Sequence, residues 1–121
     1  MTRHGLTYRA ALITQRIKGA CALAEWLCHP AISWAQRQEG LGDVGRMIRR
    51  FHDHGLDHVD LNARNILMDT DHQPWLIDLD RCRLRAAGSW QDANLNRLER
   101  SLTKLLPDQA NLCMAEIRNA Y

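Results

Sequence analysis

The chain has 121 residues, 45% hydrophobic and 25% charged, enough for one packed domain and too apolar for wholesale disorder. A net charge of +2 is too small to argue for nucleic acid, and no run reaches the roughly 18 apolar residues a membrane-crossing helix needs. The opening MTRHGLTYRA lacks the apolar core of a signal peptide, which points to the cytosol.

In chain order, Tyr8 to Ile17 has strand-like character and Lys18-Gly19 punctuates its end. Ala20 to Leu27 predicts a short helix stopped by His29-Pro30, and Ile32 to Gln38 one or two helical turns. Asp43 is a candidate N-cap for a helix whose apolar stripe is Val44, Met47, Ile48 and Phe51, with Gly55 closing it. Ile66 to Met68 and Trp75 to Leu79 predict two short strands joined by turn chemistry at Asp69 to Gln73. Beyond Gly88, Leu95, Leu98, Leu102 and Leu105 predict a helix broken by Pro107, and Gln109 to Ala120 a last one. Fourteen of the sixteen basic residues are Arg, whose planar fork suits phosphate and carboxylate. The four cysteines form no C-x-x-C pair and read as reduced, mostly buried thiols.

The chemistry concentrates in two clusters. His58 to Leu67, HVDLNARNIL, matches the H-x-D-L-x-x-x-N pattern of a kinase catalytic loop. LIDLDR, Leu76 to Arg81, supplies an aspartate thirteen residues beyond Asn65, where a metal-binding D-F-G would stand. Phosphoryl transfer needs an oriented acceptor hydroxyl and neutralised phosphoryl charge. Asp60 can accept the hydroxyl proton, while Asn65 and Asp78 offer the oxygen ligands that hard Mg²⁺ prefers beside nucleotide phosphates. Asp78 stands within an apolar run, where an unpaired carboxylate would be expensive, so a cationic partner is expected. His58 is read as a buried brace of the loop. A zinc reading of His52-x-His54 with His58 lacks a recognised ligand spacing.

On these residues, together with Ile13 to Leu27 and Trp90 to Leu102, the chain resembles the lipopolysaccharide core kinases, sugar kinases with a protein-kinase-like fold. Its likeness is greatest to the branch that phosphorylates 3-deoxy-D-manno-octulosonic acid (Kdo). The resemblance implies an α+β fold: a mostly helical C-terminal catalytic lobe over residues 19–121, preceded at 1–18 by the last strands of an N-terminal lobe. It implies transfer from ATP, with Mg²⁺, to a hydroxyl of Kdo in a lipid A–Kdo precursor at the cytoplasmic face of the inner membrane. An anionic membrane surface is then a partner, and neither nucleic acid nor a protein partner is expected.

Carried over residue by residue, Asp60 matches the catalytic base, and Asn65 and Asp78 match the metal ligands. His58 and Asn62 complete the catalytic loop, Asn62 standing where protein kinases carry Lys. Thr14 to Ile17 would be the hinge whose backbone meets adenine, so Gln15, Arg16 and Ile17 are candidate nucleotide contacts. Leu79-Asp80 replaces the Phe-Gly of D-F-G, leaving Asp80 as a second acidic ligand or a partner of Arg81 or Arg83. No Gly-rich loop and no upstream V-A-I-K-like lysine occur, so the 121 residues alone are expected to bind ATP poorly, as a truncated frame or fragment would. Aminoglycoside- and choline-type kinases share the loop pattern, but Arg64, Arg81, Arg83 and Arg85 favour an anionic acceptor. A non-catalytic remnant lobe that binds a partner is the reading from another class.

Overall fold

A computed structural model describes residues 19–121, with Arg81 through its backbone alone. The strand-like stretch from Tyr8, the hinge residues Gln15, Arg16 and Ile17, and the proposed 1–18 unit lie outside the described residues. What is described is a mostly helical α+β arrangement with four helices and two small antiparallel sheets.

The chain enters by β1 (Cys21–Ala22) and turns directly into α1 (Leu23–Cys28). The helix expected from Ala20 thus starts later, because Cys21 and Ala22 extend to pair with Met68 and Leu67. α2 (Trp34–Asp53) is the longest element at 20 residues. Its N-cap is Ser33, whose hydroxyl accepts from the Gln36 N–H at 3.1 Å, while the Gln36 amide oxygen accepts from the Ser33 N–H at 2.9 Å. Asp43, expected to be the cap, instead lies mid-helix and pairs with Arg46 at 2.7 Å. The sequence there resembles a break because Gly40, Gly42 and Gly45 dilute the helical pattern. Packing demands two of them: a Cβ at Gly40 would enter the Trp26 indole, and one at Gly45 would meet the Ile117 carbonyl. The stripe follows expectation, with Val44, Met47 and Ile48 buried and Phe51 half-buried.

Gly55 ends α2 at φ +75°, and its carbonyl accepts from the Arg85 N–H at 2.7 Å. A strand pair then appears that the sequence did not announce: β2 (Leu56–His58) runs antiparallel to β5 (Cys82–Leu84), with His58 opposite Cys82. Between them lies the expected hairpin, β3 (Ile66–Met68) and β4 (Pro74–Leu76), in register Ile66 to Leu76. Its turn is organised by Asp69, whose Oδ1 accepts from the N–H groups of Asp71 and Gln73 at 2.8 and 3.0 Å. The second strand stops at Leu76, not Leu79, because the backbone turns left-handed at Asp78 and enters a 3₁₀ turn over Leu79–Arg81.

α3 (Trp90–Leu105) buries Leu95, Leu98 and Leu102, and α4 (Ala110–Ala120) packs across α2 through Cys113, Met114 and Ile117. Leu27, Leu41, Ile48, Leu61, Ile66 and Leu98 are fully buried between these helices and the hairpin. The His58 loop rests on this core through Leu61 and Ala63, which are 1% and 0% exposed.

Candidate active site

The loop after β2 is built by its own asparagines. The carbonyl of Asp60 accepts from both the Asn62 and Asn65 side-chain amides at 2.8 Å. Asn62 also turns its Oδ1 inward, accepting from the N–H groups of Arg64 and Asn65 at 2.8 and 3.1 Å. Asn62 is therefore a positioning residue, with both ends of its amide spent on loop backbone. Outside braces complete the loop. The Val59 carbonyl accepts from Arg97, and the Ala63 N–H donates to the Ser101 hydroxyl at 2.9 Å, both from α3. Asp60 itself is half-buried, and its backbone is fixed on both sides.

The acidic segment is tied to the loop through one peptide unit. The N–H of Ile77 donates to the Asn65 carbonyl, and the carbonyl of Ile77 accepts from His58 Nε2, each at 2.9 Å. His58 therefore carries its donated proton on Nε2, and its buried Nδ1 has no partner among the described residues. Its expected bracing role has a geometry: His58 braces the acidic segment onto the loop. Asp78 follows at φ +61° and ψ 45°, a left-handed conformation that costs an L-residue roughly 1–2 kcal/mol and that Asp visits more readily than most. The strain persists because Ile77 is held at both polar groups.

One expectation needs correction. Asp78 is exposed despite its apolar neighbours, so no burial penalty calls for a cationic partner. The left-handed turn swings its side chain out of the strand's alternation. Asp80 is exposed as well. Among the described residues no three His, Cys, Asp or Glu side chains converge on a metal-sized point. The donor chemistry still fits a hard cation shared with phosphates. The Asn65 amide nitrogen is spent on Asp60, and among the described residues nothing donates to its Oδ1. Asp78 supplies an open carboxylate on the adjoining segment. The zinc alternative has no support, because His52 and His54 turn to different partners: His54 Nδ1 donates to the Arg50 carbonyl at 2.8 Å.

Sequence reasoning missed a buried polar network under the loop. Asn94, 1% exposed, accepts through Oδ1 from the His58 N–H at 3.2 Å and from His52 Nε2 at 3.1 Å. Its amide nitrogen donates to Asp57 at 2.8 Å, and Arg85 reaches the other Asp57 oxygen at 3.0 Å. With Nε2 donating, His52 Nδ1 accepts from the Tyr121 hydroxyl at 2.6 Å. Burial pushes the His52 pKa down and the Tyr121 pKa up, so His52 stays neutral and serves as a fixed hydrogen-bonding plate. Burial, then the charges of Asp57 and Asp80, push the Cys82 thiol up to about 12. Two signals were available: a polar Asn94 on the leucine face of α3, and Asp57 immediately before His58. Arg85, counted earlier among cations for an acceptor, is exposed but committed to Asp57, whereas Arg64 and Arg83 are exposed without a carboxylate partner among the described residues.

The chain is similar along most of its length to known proteins. The 3-deoxy-D-manno-octulosonic acid kinase of Xylella fastidiosa (strain M23) is 49% identical over 108 residues, covering 85% of this chain and 40% of that protein. The protein of the same description from Xanthomonas campestris pv. campestris (strain B100) is 50% identical over 104 residues, again 85% and 40%. That of Stenotrophomonas maltophilia (strain K279a) is 44% identical over 124 residues, 98% of this chain and 48% of its own. The chain thus spans less than half the length of these relatives. The family model for the lipopolysaccharide kinase (Kdo/WaaP) family matches residues 1–120, essentially end to end. The chain belongs to the lipopolysaccharide kinase (Kdo/WaaP) family.

Proposed function

We propose that this chain carries the phosphoryl-transfer half of an ATP-dependent kinase acting on a hydroxyl of Kdo in a lipid A–Kdo precursor, at the cytoplasmic face of the inner membrane. In this reading residues 19–121 are the C-terminal lobe of a protein-kinase-like fold, and 1–18 contribute the end of the N-terminal lobe. Gln15, Arg16 and Ile17 meet the adenine through their backbone. Asp60 accepts the hydrogen bond of the acceptor hydroxyl and takes its proton as transfer proceeds. Asn62 holds that loop in shape. Asn65 and Asp78 hold Mg²⁺ with the nucleotide phosphates, and Asp80 is the further acidic group nearest to them in sequence. When bound, the metal neutralises charge on the transferring phosphoryl group.

The observation that supports this most is the double clamp on Ile77. It ties the loop bearing Asp60 to the segment bearing Asp78, so base and metal ligand share one rigid frame. The family and the relatives' names support the acceptor. The test, made on a complete protein that carries this segment, is ADP release with Mg-ATP and a Kdo-bearing lipid A precursor, against a panel including an aminoglycoside and choline. Turnover with the Kdo acceptor alone is the expected result. Asp60→Asn should slow transfer by about 10²- to 10⁴-fold, the usual worth of a general base, while melting curves show the protein still folded. Absence of ADP release, or an active Asp60→Asn protein, overturns the reading.

A further inference from the structure

α3 presents a basic stripe beside the loop. Arg97, Arg100 and Lys104 recur at i, i+3 and i+7, so they share one side of the helix over about 10 Å. That side adjoins the face locked to the loop, because Ser101 accepts from the Ala63 N–H and Arg97 donates to the Val59 carbonyl. Arg64 adds a fourth cation on the loop itself. Arg64, Arg100 and Lys104 are exposed, and among the described residues none of the four has a carboxylate partner. Glu99, next to Arg100 in sequence, is turned to Arg118 on α4 at 2.9 Å. Elsewhere Arg46 is answered by Asp43 and Arg49 by Asp53, whereas Arg50 and Arg83 are exposed with no carboxylate partner among the described residues.

From this geometry we infer that the α3 stripe and Arg64 form an electrostatic docking edge for the phosphate headgroups of an anionic lipid bilayer. The shape favours a surface over a small ligand. The trough beside the stripe, lined by Asn96, Glu99, Arg100, Thr103 and Lys104, holds about 440 Å³ but lies open along the helix. It encloses nothing, and long cationic side chains in a row suit the diffuse charge of a membrane better than one oriented anion. None of the described helices is long and apolar enough to cross a bilayer, so attachment through this part of the chain would rely on such charge. The edge lies on the side of α3 that braces the loop, which would bring Asp60 toward a lipid-borne acceptor; that orientation, though not the binding, rests on the kinase reading above.

The test is co-sedimentation of the 121-residue chain with vesicles, without nucleotide. Binding to mixed phosphatidylcholine–phosphatidylglycerol vesicles, none to phosphatidylcholine alone, and release at about 1 M salt are expected. The triple variant Arg64→Gln/Arg100→Gln/Lys104→Gln should bind on the order of 100-fold more weakly, at roughly fivefold per charge. Arg46→Gln/Arg49→Gln/Arg50→Gln on α2 removes the same charge elsewhere and should bind nearly as the parent does. Equal losses in the two triple variants, no binding by the parent chain, or binding that survives high salt would overturn the inference. Melting curves confirm that both variants fold. An ADP-release assay that fails while vesicle binding holds would sink the kinase reading and leave this one standing.

Discussion

The two halves of the candidate site are built in opposite ways. The His58–Asn65 loop is over-determined: its backbone is held by its own asparagines, by Arg97 and Ser101 from α3, and from below by Asn94. The Asp78–Asp80 segment is exposed at both carboxylates, and its tie to the loop is the Ile77 peptide. In the kinase reading proposed above, a base must be aimed at one hydroxyl, so rigidity would serve Asp60. A ligand shared with phosphates and water needs an open face, so exposure would serve Asp78.

The largest effect should come from below the loop. Asn94→Leu strands the His58 N–H, His52 Nε2 and one oxygen of buried Asp57, and should destabilise the fold by about 3 kcal/mol. Urea unfolding measures it; a loss under about 1 kcal/mol would mean that the network does not hold the loop.

A smaller change separates the halves. His58→Phe removes the donor to the Ile77 carbonyl, worth about 1.4 kcal/mol, and leaves the asparagine braces alone. Amide hydrogen exchange at Ile77 should quicken about tenfold, while exchange at Ala63, bonded to Ser101, stays near that of the parent chain. Equal acceleration at both amides would show that the halves are not separable.

The smallest effect is on pH. The pKa of His52 is lowered in the fold, chiefly by burial and also by Arg49, against the opposing Asn94 bond and the charges of Asp57 and Asp53. The unfolded chain then binds the proton more readily, so this contribution to stability is complete above about pH 6.5 and is lost as pH falls below it. Urea midpoints at pH 7.5 and 5.5 should therefore differ more for the parent chain than for His52→Gln. An equal difference would remove His52 as the source.

Motif, hairpin and leucine face were all legible because each depends on neighbours in sequence. The loop pattern fits within ten residues, the Asp69 turn within five, and the α3 leucines follow the helical period. Asp43 misled because glycines needed for close packing against Trp26 and Ile117 look, in sequence, like a break. β2 and β5 escaped because these short strands pair across a long stretch of sequence, with no turn between them to announce the pairing as the Asp69 turn announces β3 and β4.

The chemical inventory of the site was thus already written in the chain: which residues could be base, amide and carboxylate, and at what spacing. Its arrangement was not. That Asp78 faces water and that His52, Asn94 and Asp57 support the loop follow from partners that lie far apart in sequence: His58 with Ile77, Asn94 with His52 and His58. Such pairs leave no periodic trace, because a hydrogen bond between distant segments is set by how the helices pack and not by the order of residues around it.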